Sequence, residues 1–376
     1  MEIETQERGN VANLTQNGRL LIIPEQLHAI VPGGIGAFTH NILAELAPLL
    51  IRSGVDCEIF GSKWQGSSPD PFGEYGVKYS NAIVHNRILN RLWDYSNFST
   101  PKGFDRLLSL SIAGPLRGGP SSKVYTIYDL AHRIVPETLT PRGVVWHEAR
   151  LQKILNSTSS VITISNRSLD DLVDAGFDRD RITLVPPGSD HLPIADLLGA
   201  DDLLRRVGVS SPFILSVGTM EPRKNLHRVI KALQMARPLL GGEFPLVVVG
   251  PSGWGEAIAP TKGVHLVGRV DASILAGLYQ RASALVYVPF FEGFGLPPIE
   301  AMASATPVVA SLLPSTSSEN SVIVDPYSIE DISRGIVEVV TDSKVSSRVV
   351  REGLITISAM KWSQSALTIG RQFYGI

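Results

Sequence analysis

The sequence predicts an α/β protein built from two Rossmann-like domains, and three observations carry that expectation. Short apolar, β-branched runs alternate with longer helix-patterned segments through most of the chain, the pattern of parallel sheet covered by helices. At 376 residues the chain is too long for one ordinary core and fits two. Several of the apolar runs end in Gly, Pro or Asp, as expected where buried parallel strands deliver their carboxyl ends to a ligand crevice.

Residues 1–17 are polar and mixed in charge, with no basic patch leading into an apolar run, so they read as a disordered tail and not as a signal peptide. A first domain is expected over 18–195. Its strands are Arg19–Ile23, Lys123–Tyr128, Ser160–Ile164 and Arg181–Val185, with a further strand-like stretch at Val55–Phe60. The turn Pro32-Gly33-Gly34-Ile35-Gly36 opens a segment, Ile35–Ile51, with a helical apolar pattern. A domain break is expected near 190–211, after Pro186-Pro187-Gly188, where a new strand, turn and helix cycle begins. The second domain, 196–350, contains the strands Phe213–Val217, Pro245–Val249, Ala284–Val288 and Pro307–Ala310. In 351–376 the apolar residues Ala366, Ile369 and Phe373 have helical spacing, so Trp362–Tyr374 is expected to pack back on the body.

With 34 basic and 36 acidic residues the formal charge is -2, which provides no global field for nucleic acid. An anionic ligand must therefore be held by local groups. Cys57 stands alone and can form no internal disulfide, which makes a reducing, cytoplasmic compartment the default. No apolar stretch approaches the roughly 20 residues that span a bilayer, so contact with the inner face of a membrane is peripheral at most. The histidines lack metal-ligand spacing, and Asp178-Arg179-Asp180 sits in a connecting loop without a neighbouring acidic ligand, so no metal site is expected.

Three constellations carry chemistry. Glycines at Pro32–Gly36 let the backbone approach a ligand at a helix N-terminus, where anions are favoured. The turn lacks G-x-G-x-x-G spacing and a following acidic residue, which disfavours a nicotinamide cofactor. In Gly218-Thr219-Met220-Glu221-Pro222-Arg223-Lys224-Asn225, two cations converge where a strand ends and a helix starts, a suitable place for a diphosphate. Finally, in Phe290-Phe291-Glu292-Gly293-Phe294-Gly295-Leu296-Pro297-Pro298-Ile299-Glu300, Glu292 lies in a glycine-rich loop and Glu300 one turn inside the next helix. Carboxylates so placed can select sugar and ribose hydroxyls by paired hydrogen bonds.

This last block resembles the E-x7-E signature of retaining glycosyltransferases of the GT-B fold, in glycosyltransferase group 1 (family 4), and is mannosyltransferase-like. Pro32–Gly36 resembles their first-domain glycine loop, Ser216–Leu226 their E-P-x-K-N diphosphate segment, and Trp362–Tyr374 their C-terminal crossing helix. The resemblance implies two domains facing across a cleft, the first binding acceptor and the second a nucleotide sugar. It implies that Glu300 binds the nucleotide ribose and Glu292 the donor-sugar hydroxyls. Gly218 and the backbone at Gly293, Phe294, Gly295 and Leu296 would hold sugar and phosphate, with Gly34 completing the phosphate pocket on closure. Arg223 and Lys224 would neutralise the leaving diphosphate, a role that metals take in other transferases.

Departures bear on the donor. Many members have His-Asp where this chain has Tyr128-Asp129, which puts Tyr128 beside the donor sugar, with Asp129 next to it and His132 as a substitute polar contact. Ser165, at the end of a strand, is a further candidate for the cleft. Ser304-Ala305-Thr306-Pro307 lacks the usual glycine before Thr-Pro, and Leu312–Asn320 lacks the usual Pro-Glu. The resulting expectation is transfer of a hexose from a nucleoside-diphosphate sugar, GDP-mannose favoured, to a glycan or lipid-linked acceptor in surface polysaccharide or lipopolysaccharide synthesis, with no cofactor. A nucleotide-sugar epimerase of the same fold and a non-catalytic binding module are the alternatives.

Overall fold

The structure, a computed structural model, describes residues 18–29, 31–64, 66, 70–210 and 212–376. The expected tail, 1–17, and Ser211 of the expected domain break lie outside the described residues. The first domain runs through β1 (Leu20–Ile23), α1 (Gly33–Arg52), β2 (Cys57–Gly61), β3 (Lys78–Asn81), α2 (Asn86–Trp93) and β4 (Arg106–Ser109). It continues with β5 (Ser122–Thr126), α3 (Ala131–Ile134), α4 (Pro141–Leu155), β6 (Ser160–Thr163), α5 (Asn166–Asp174) and β7 (Ile182–Leu184). Among the described residues these strands form one parallel sheet in the order β3-β2-β1-β4-β5-β6-β7.

The second domain contains α6 (Leu197–Arg206), β8 (Ile214–Val217), α7 (Leu226–Leu240), β9 (Leu246–Val249), β10 (Val264–Gly268), α8 (Ala272–Arg281) and β11 (Ala284–Tyr287). α9 (Leu296–Ala303), β12 (Val308–Ala310), β13 (Val322–Ile323), α10 (Ile329–Thr341) and α11 (Ser343–Ser358) follow. Its sheet, also parallel, has the order β10-β9-β8-β11-β12-β13. Strand order reverses between β1 and β4 in the first sheet and between β8 and β11 in the second, and open α/β sheets bind ligands outside the carboxyl ends at such reversals. The glycine turn follows β1, the Arg223-Lys224 segment follows β8, and the Glu292 loop follows β11.

The chain crosses between domains twice. The linker after β7 leads into the second domain, and α12 (Trp362–Tyr374) returns to pack on α1, where the Trp362 and Phe38 ring centroids are 5.4 Å apart. The crossings are stitched together: Ser189 N–H donates to the Met360 carbonyl (3.0 Å), Trp362 N–H to Asp190 Oδ1 (3.1 Å), and Ser365 Oγ to the Pro186 carbonyl. A Cβ on Gly188 would lie 2.3 Å from the Trp362 nitrogen, so the approach requires glycine.

Two expectations need revision. The break at 350/351 falls inside α11, which ends only at Ser358, so the return crossing is confined to the turn before α12. α1 spans 20 residues and is by length and composition long and apolar enough to cross a membrane, although the sequence reading found no such stretch. In this fold its Phe38, Ile42, Leu43, Leu46 and Leu50 are buried in the first-domain core. Asp178 and Asp180, set aside as metal ligands, serve a local turn in which Asp180 N–H donates to Asp178 Oδ1 (3.1 Å).

Candidate functional site

The second domain builds a compact charge cluster at its strand-order reversal. Gly218, directly after β8, has φ 145°, and a Cβ on Gly250 beyond β9 would sit 2.0 Å from the Gly218 carbonyl oxygen. The chain then makes a single 3₁₀ turn, Pro222–Lys224, and Asn225 enters the left-handed region at φ 60° before α7. Asn225 is held there by side-chain N–H donation to the Val288 carbonyl (3.0 Å) and the Pro326 carbonyl (2.7 Å). This turn fixes Arg223 and Lys224 beside the loop after β11.

Both cations reach Glu292: Arg223 Nη1 lies 2.6 Å and Lys224 Nζ 2.5 Å from its Oε1. Arg223 also pairs with Glu221 (2.7 Å) and donates to the Phe291 carbonyl (3.0 Å), while Lys224 Nζ donates to Tyr287 Oη (2.7 Å). Burial alone would raise the Glu292 carboxyl, but Arg223 and Lys224 outweigh it and hold it down at about 2. Burial works against the Lys224 ammonium and lowers it, with Glu292 opposing. For Arg223, burial is outweighed by Glu292 and Glu221, which raise the guanidinium. The two carboxylates thus balance the two cations.

Glu300, the fifth residue of α9, faces a different environment. Tyr279 Oη of α8 donates to its Oε2 at 2.7 Å, and His191 Nε2 of the interdomain linker meets its Oε1 at 2.9 Å. α9 begins after Gly295, at φ 100°, with no side-chain cap, and because Pro297 and Pro298 carry no N–H the donors left at its start are the Gly295 and Leu296 amides. A Cβ at Gly295 would fall 2.7 Å from Ser315 Oγ, a buried hydroxyl that has no hydrogen-bond partner among the described residues. Ala305, where the resemblance led to an expectation of glycine, has φ 55°, the left-handed region that favours glycine.

The first domain meets this loop across the cleft. α1 lacks a side-chain cap, and a Cβ on Gly34 would stand 3.9 Å from Leu296 Cδ1. A Cβ on Gly293 would lie 2.5 Å from the Tyr128 carbonyl oxygen and 3.1 Å from Asp129 Oδ2. Ser168 Oγ donates to the Tyr128 carbonyl (2.9 Å) and lies 3.5 Å from the Gly293 carbonyl, closing the seam. The backbone of 293–296 therefore sits between the β1 turn and the segment after β5. Further contacts join the domains at Trp254 Nε1 to the Thr138 carbonyl (3.1 Å) and at Arg167 over the Phe291 ring (4.5 Å).

Three expected first-domain residues have other duties. The Tyr128 side chain is buried, donates its hydroxyl to the Leu110 carbonyl (2.8 Å) and packs edge-on to Phe38, so it points into the core and does not present its hydroxyl to the cleft. Ser165 caps α5 by accepting from Ser168 N–H (3.1 Å). His132 is buried against Glu148 (3.1 Å), which also binds Arg133 (2.7 Å); burial lowers the imidazole despite Glu148. Asp129 Oδ1 accepts from Ala131 N–H (2.9 Å), and its Oδ2 is the atom near Gly293. Sequence reasoning missed His191, Tyr279, Tyr287, Glu221 and Ser168. Among the described residues no group of three or more His, Cys, Asp or Glu is arranged to hold a metal ion.

Comparison with known proteins bears on this geometry. Residues 206–354 match the family described as glycosyl transferases group 1. O-antigen chain mannosyltransferase B of Escherichia coli is 28% identical over 253 residues, covering 64% of this chain and 66% of that protein. O-antigen chain mannosyltransferase RfbU of Salmonella typhimurium is 26% identical over 202 residues, covering 51% of this chain and 53% of its own length. The aligned stretches thus span between about half and two thirds of these curated relatives. The structure of Anabaena HepE in complex with UDP-glucose superposes with a TM-score of 0.73 at 15% identity, covering 96% of this chain and 100% of that one. The chain therefore has the GT-B fold, and residues 206–354 in its second half are similar to the glycosyltransferase group 1 family.

Proposed function

We propose that this chain is a glycosyltransferase that moves a hexose, mannose favoured, from a nucleoside-diphosphate sugar to a hydroxyl of a glycan or lipid-linked acceptor, with retention of anomeric configuration. The observation that carries the proposal is the convergence of Arg223, Lys224 and Glu292 at the strand-order reversal of the second sheet, opposite the glycine turn of the first. Two preorganised cations in a water-poor cleft suit a diphosphate that gains charge as its bond to the sugar breaks. Both cations pair with Glu292, with Glu221 supplying the second negative charge, so an arriving diphosphate exchanges partners with the Glu292 carboxylate. Glu292 is then released toward the sugar hydroxyls, while Glu300 accepts from the ribose.

Retention follows if the acceptor attacks on the face from which the diphosphate departs, a route that needs placement and charge stabilisation but no dedicated protein nucleophile. The likeness to O-antigen mannosyltransferases supports mannose as the sugar and a role in surface polysaccharide synthesis, and the proposal takes GDP as the nucleotide that carries it. No metal or cofactor is required by this scheme. The test is a panel of nucleotide sugars followed by product analysis and by nucleotide-induced thermal stabilisation, with and without chelator. The proposal expects nucleotide release from GDP-mannose, an α-linked product and no loss of rate with chelator. Interconversion of the sugar with no glycoside formed would indicate an epimerase, and stabilisation without turnover a binding module; either result overturns the proposal.

A further inference from the structure

The Glu300 carboxylate is held from outside its own helix by a residue of the interdomain linker. His191 Nε2 lies 2.9 Å from Glu300 Oε1, and His191 Nδ1 lies 3.2 Å from Trp362 Nε1. An indole N–H can only donate, so Nδ1 is the acceptor. In the neutral ring this leaves the proton on Nε2, aimed at Glu300, a tautomer assigned from its partners. The imidazole and indole are also edge to face, with centroids 5.7 Å apart at 80°. Trp362 is the first residue of α12 and packs against Phe38 of α1. A continuous series of contacts thus runs from the helix behind the glycine turn, through the return crossing and the linker, to Glu300.

We propose that His191 is a positioning residue of the donor site: its Nε2–H orients the Glu300 carboxylate for the ribose diol, and its Nδ1 anchors that orientation to Trp362 at the domain crossing. The proposal rests on the reading of Glu300 as the ribose acceptor. A carboxylate offers about four lone-pair sites. Tyr279 and His191 occupy one on each oxygen, which leaves one on each for the two hydroxyls of a ribose. Losing the His191 donor frees Oε1 to turn, and outer-shell partners of this kind are worth roughly 10–100-fold where they hold metal ligands. Because the anchor lies on the return crossing, ribose affinity is tied to the placement of the two domains.

Two conservative substitutions separate the two contacts. His191→Gln places an amide nitrogen near the position of Nε2 and keeps the donor to Glu300, whereas His191→Asn places an oxygen near Nδ1 and keeps only the acceptor for Trp362. Titration calorimetry with GDP and UDP, and with the 2′,3′-dideoxy form of each, reads the ribose contact directly. The better-bound ribonucleotide should weaken about 10-fold or more in His191→Asn, with its dideoxy counterpart changed less than about 2-fold, and His191→Gln should stay within about 3-fold of wild type for both. A merely structural role would weaken both forms equally. His191→Asn retaining the wild-type preference for ribose, or equal losses for both forms, would overturn the proposal. Wild-type protein that binds ribo and dideoxy forms alike would instead overturn the reading of Glu300, and the proposal with it.

Discussion

Glu292 and Glu300 enter the fold on one loop and helix, yet they are kept in place by opposite means. Glu292 is pinned by two full cations, Arg223 and Lys224, which drive its carboxyl down to about 2 against the upward push of burial. Glu300 is held by two other groups, a tyrosine hydroxyl and an imidazole, that fix direction. A carboxylate bound through charge can exchange its partners when a stronger anion arrives. One bound through directed hydrogen bonds keeps its aim. The difference separates the part of the cleft that responds to charge from the part that reads shape.

The largest expected effect strikes the charge-responsive half. Lys224→Ala removes one of two preorganised cations and should lower turnover by about 10²–10³, with a smaller change in nucleotide affinity. Steady-state rates with a saturating donor measure it, and near wild-type turnover would show that diphosphate departure does not depend on Lys224. On the other side of the comparison, Glu300→Ala should weaken nucleotide binding by roughly 1.5–3 kcal/mol, the worth of a hydrogen bond to a charged group. Calorimetric affinity within twofold of wild type would remove Glu300 from the ribose.

Glu292→Gln sharpens the contrast because binding and turnover should move in opposite directions. With the carboxylate neutralised, Arg223 and Lys224 lose one of their two internal counter-charges and only Glu221 remains, so free nucleoside diphosphate should bind several-fold more tightly while transfer falls. Stability supplies an independent reading. The folded carboxyl at about 2 lies below its ordinary 4.5, so its contribution is complete above about pH 4.5 and is lost as the pH falls toward 2. The stability advantage of wild type over Glu292→Gln should therefore shrink across that window in urea titrations. A difference that stays constant from pH 5 to pH 3 would mean that Glu292 is not held by charge.

Much of this comparison was legible in the sequence, for identifiable reasons. The glycine turn into α1, the Arg223-Lys224 turn and the spacing of Glu292 and Glu300 are local signals, each written within a dozen residues. Buried strands such as β1, β9 and β11 announce themselves as apolar runs. The edge strand β3, by contrast, carries exposed and polar residues, β10 is half-buried with a histidine and an exposed leucine interrupting its pattern, and β13 has only 2 residues, too few for any pattern. The partners of Glu300 were invisible because His191 stands in a linker and Tyr279 in the last turn of an amphipathic helix. Only the packing of α8, α9 and the linker brings them together, and no spacing in the sequence encodes that meeting.

The smallest expected effect concerns Tyr128, the position where the chain departs from the pattern it resembles. The sequence reading set this ring beside the donor sugar, but in the structure its hydroxyl is spent on the Leu110 carbonyl and its ring lies against Phe38. Its backbone, not its side chain, meets the cleft, since the Tyr128 carbonyl approaches Gly293. Tyr128→Phe removes one buried hydrogen bond and keeps the ring. Thr39 Oγ1, 3.4 Å from the Leu110 carbonyl, partly covers the acceptor that is left. The cost should be about 1 kcal/mol of stability, with donor preference and rate within twofold of wild type. Tyr128→His is harsher, because the smaller imidazole leaves space beside Phe38, yet it too should act on stability and leave donor choice alone. Chemical denaturation set beside initial rates on GDP-mannose and UDP-glucose distinguishes the two roles. A shift in donor preference at unchanged stability would place the ring at the sugar after all, and would require the segment after β5 to move when donor binds.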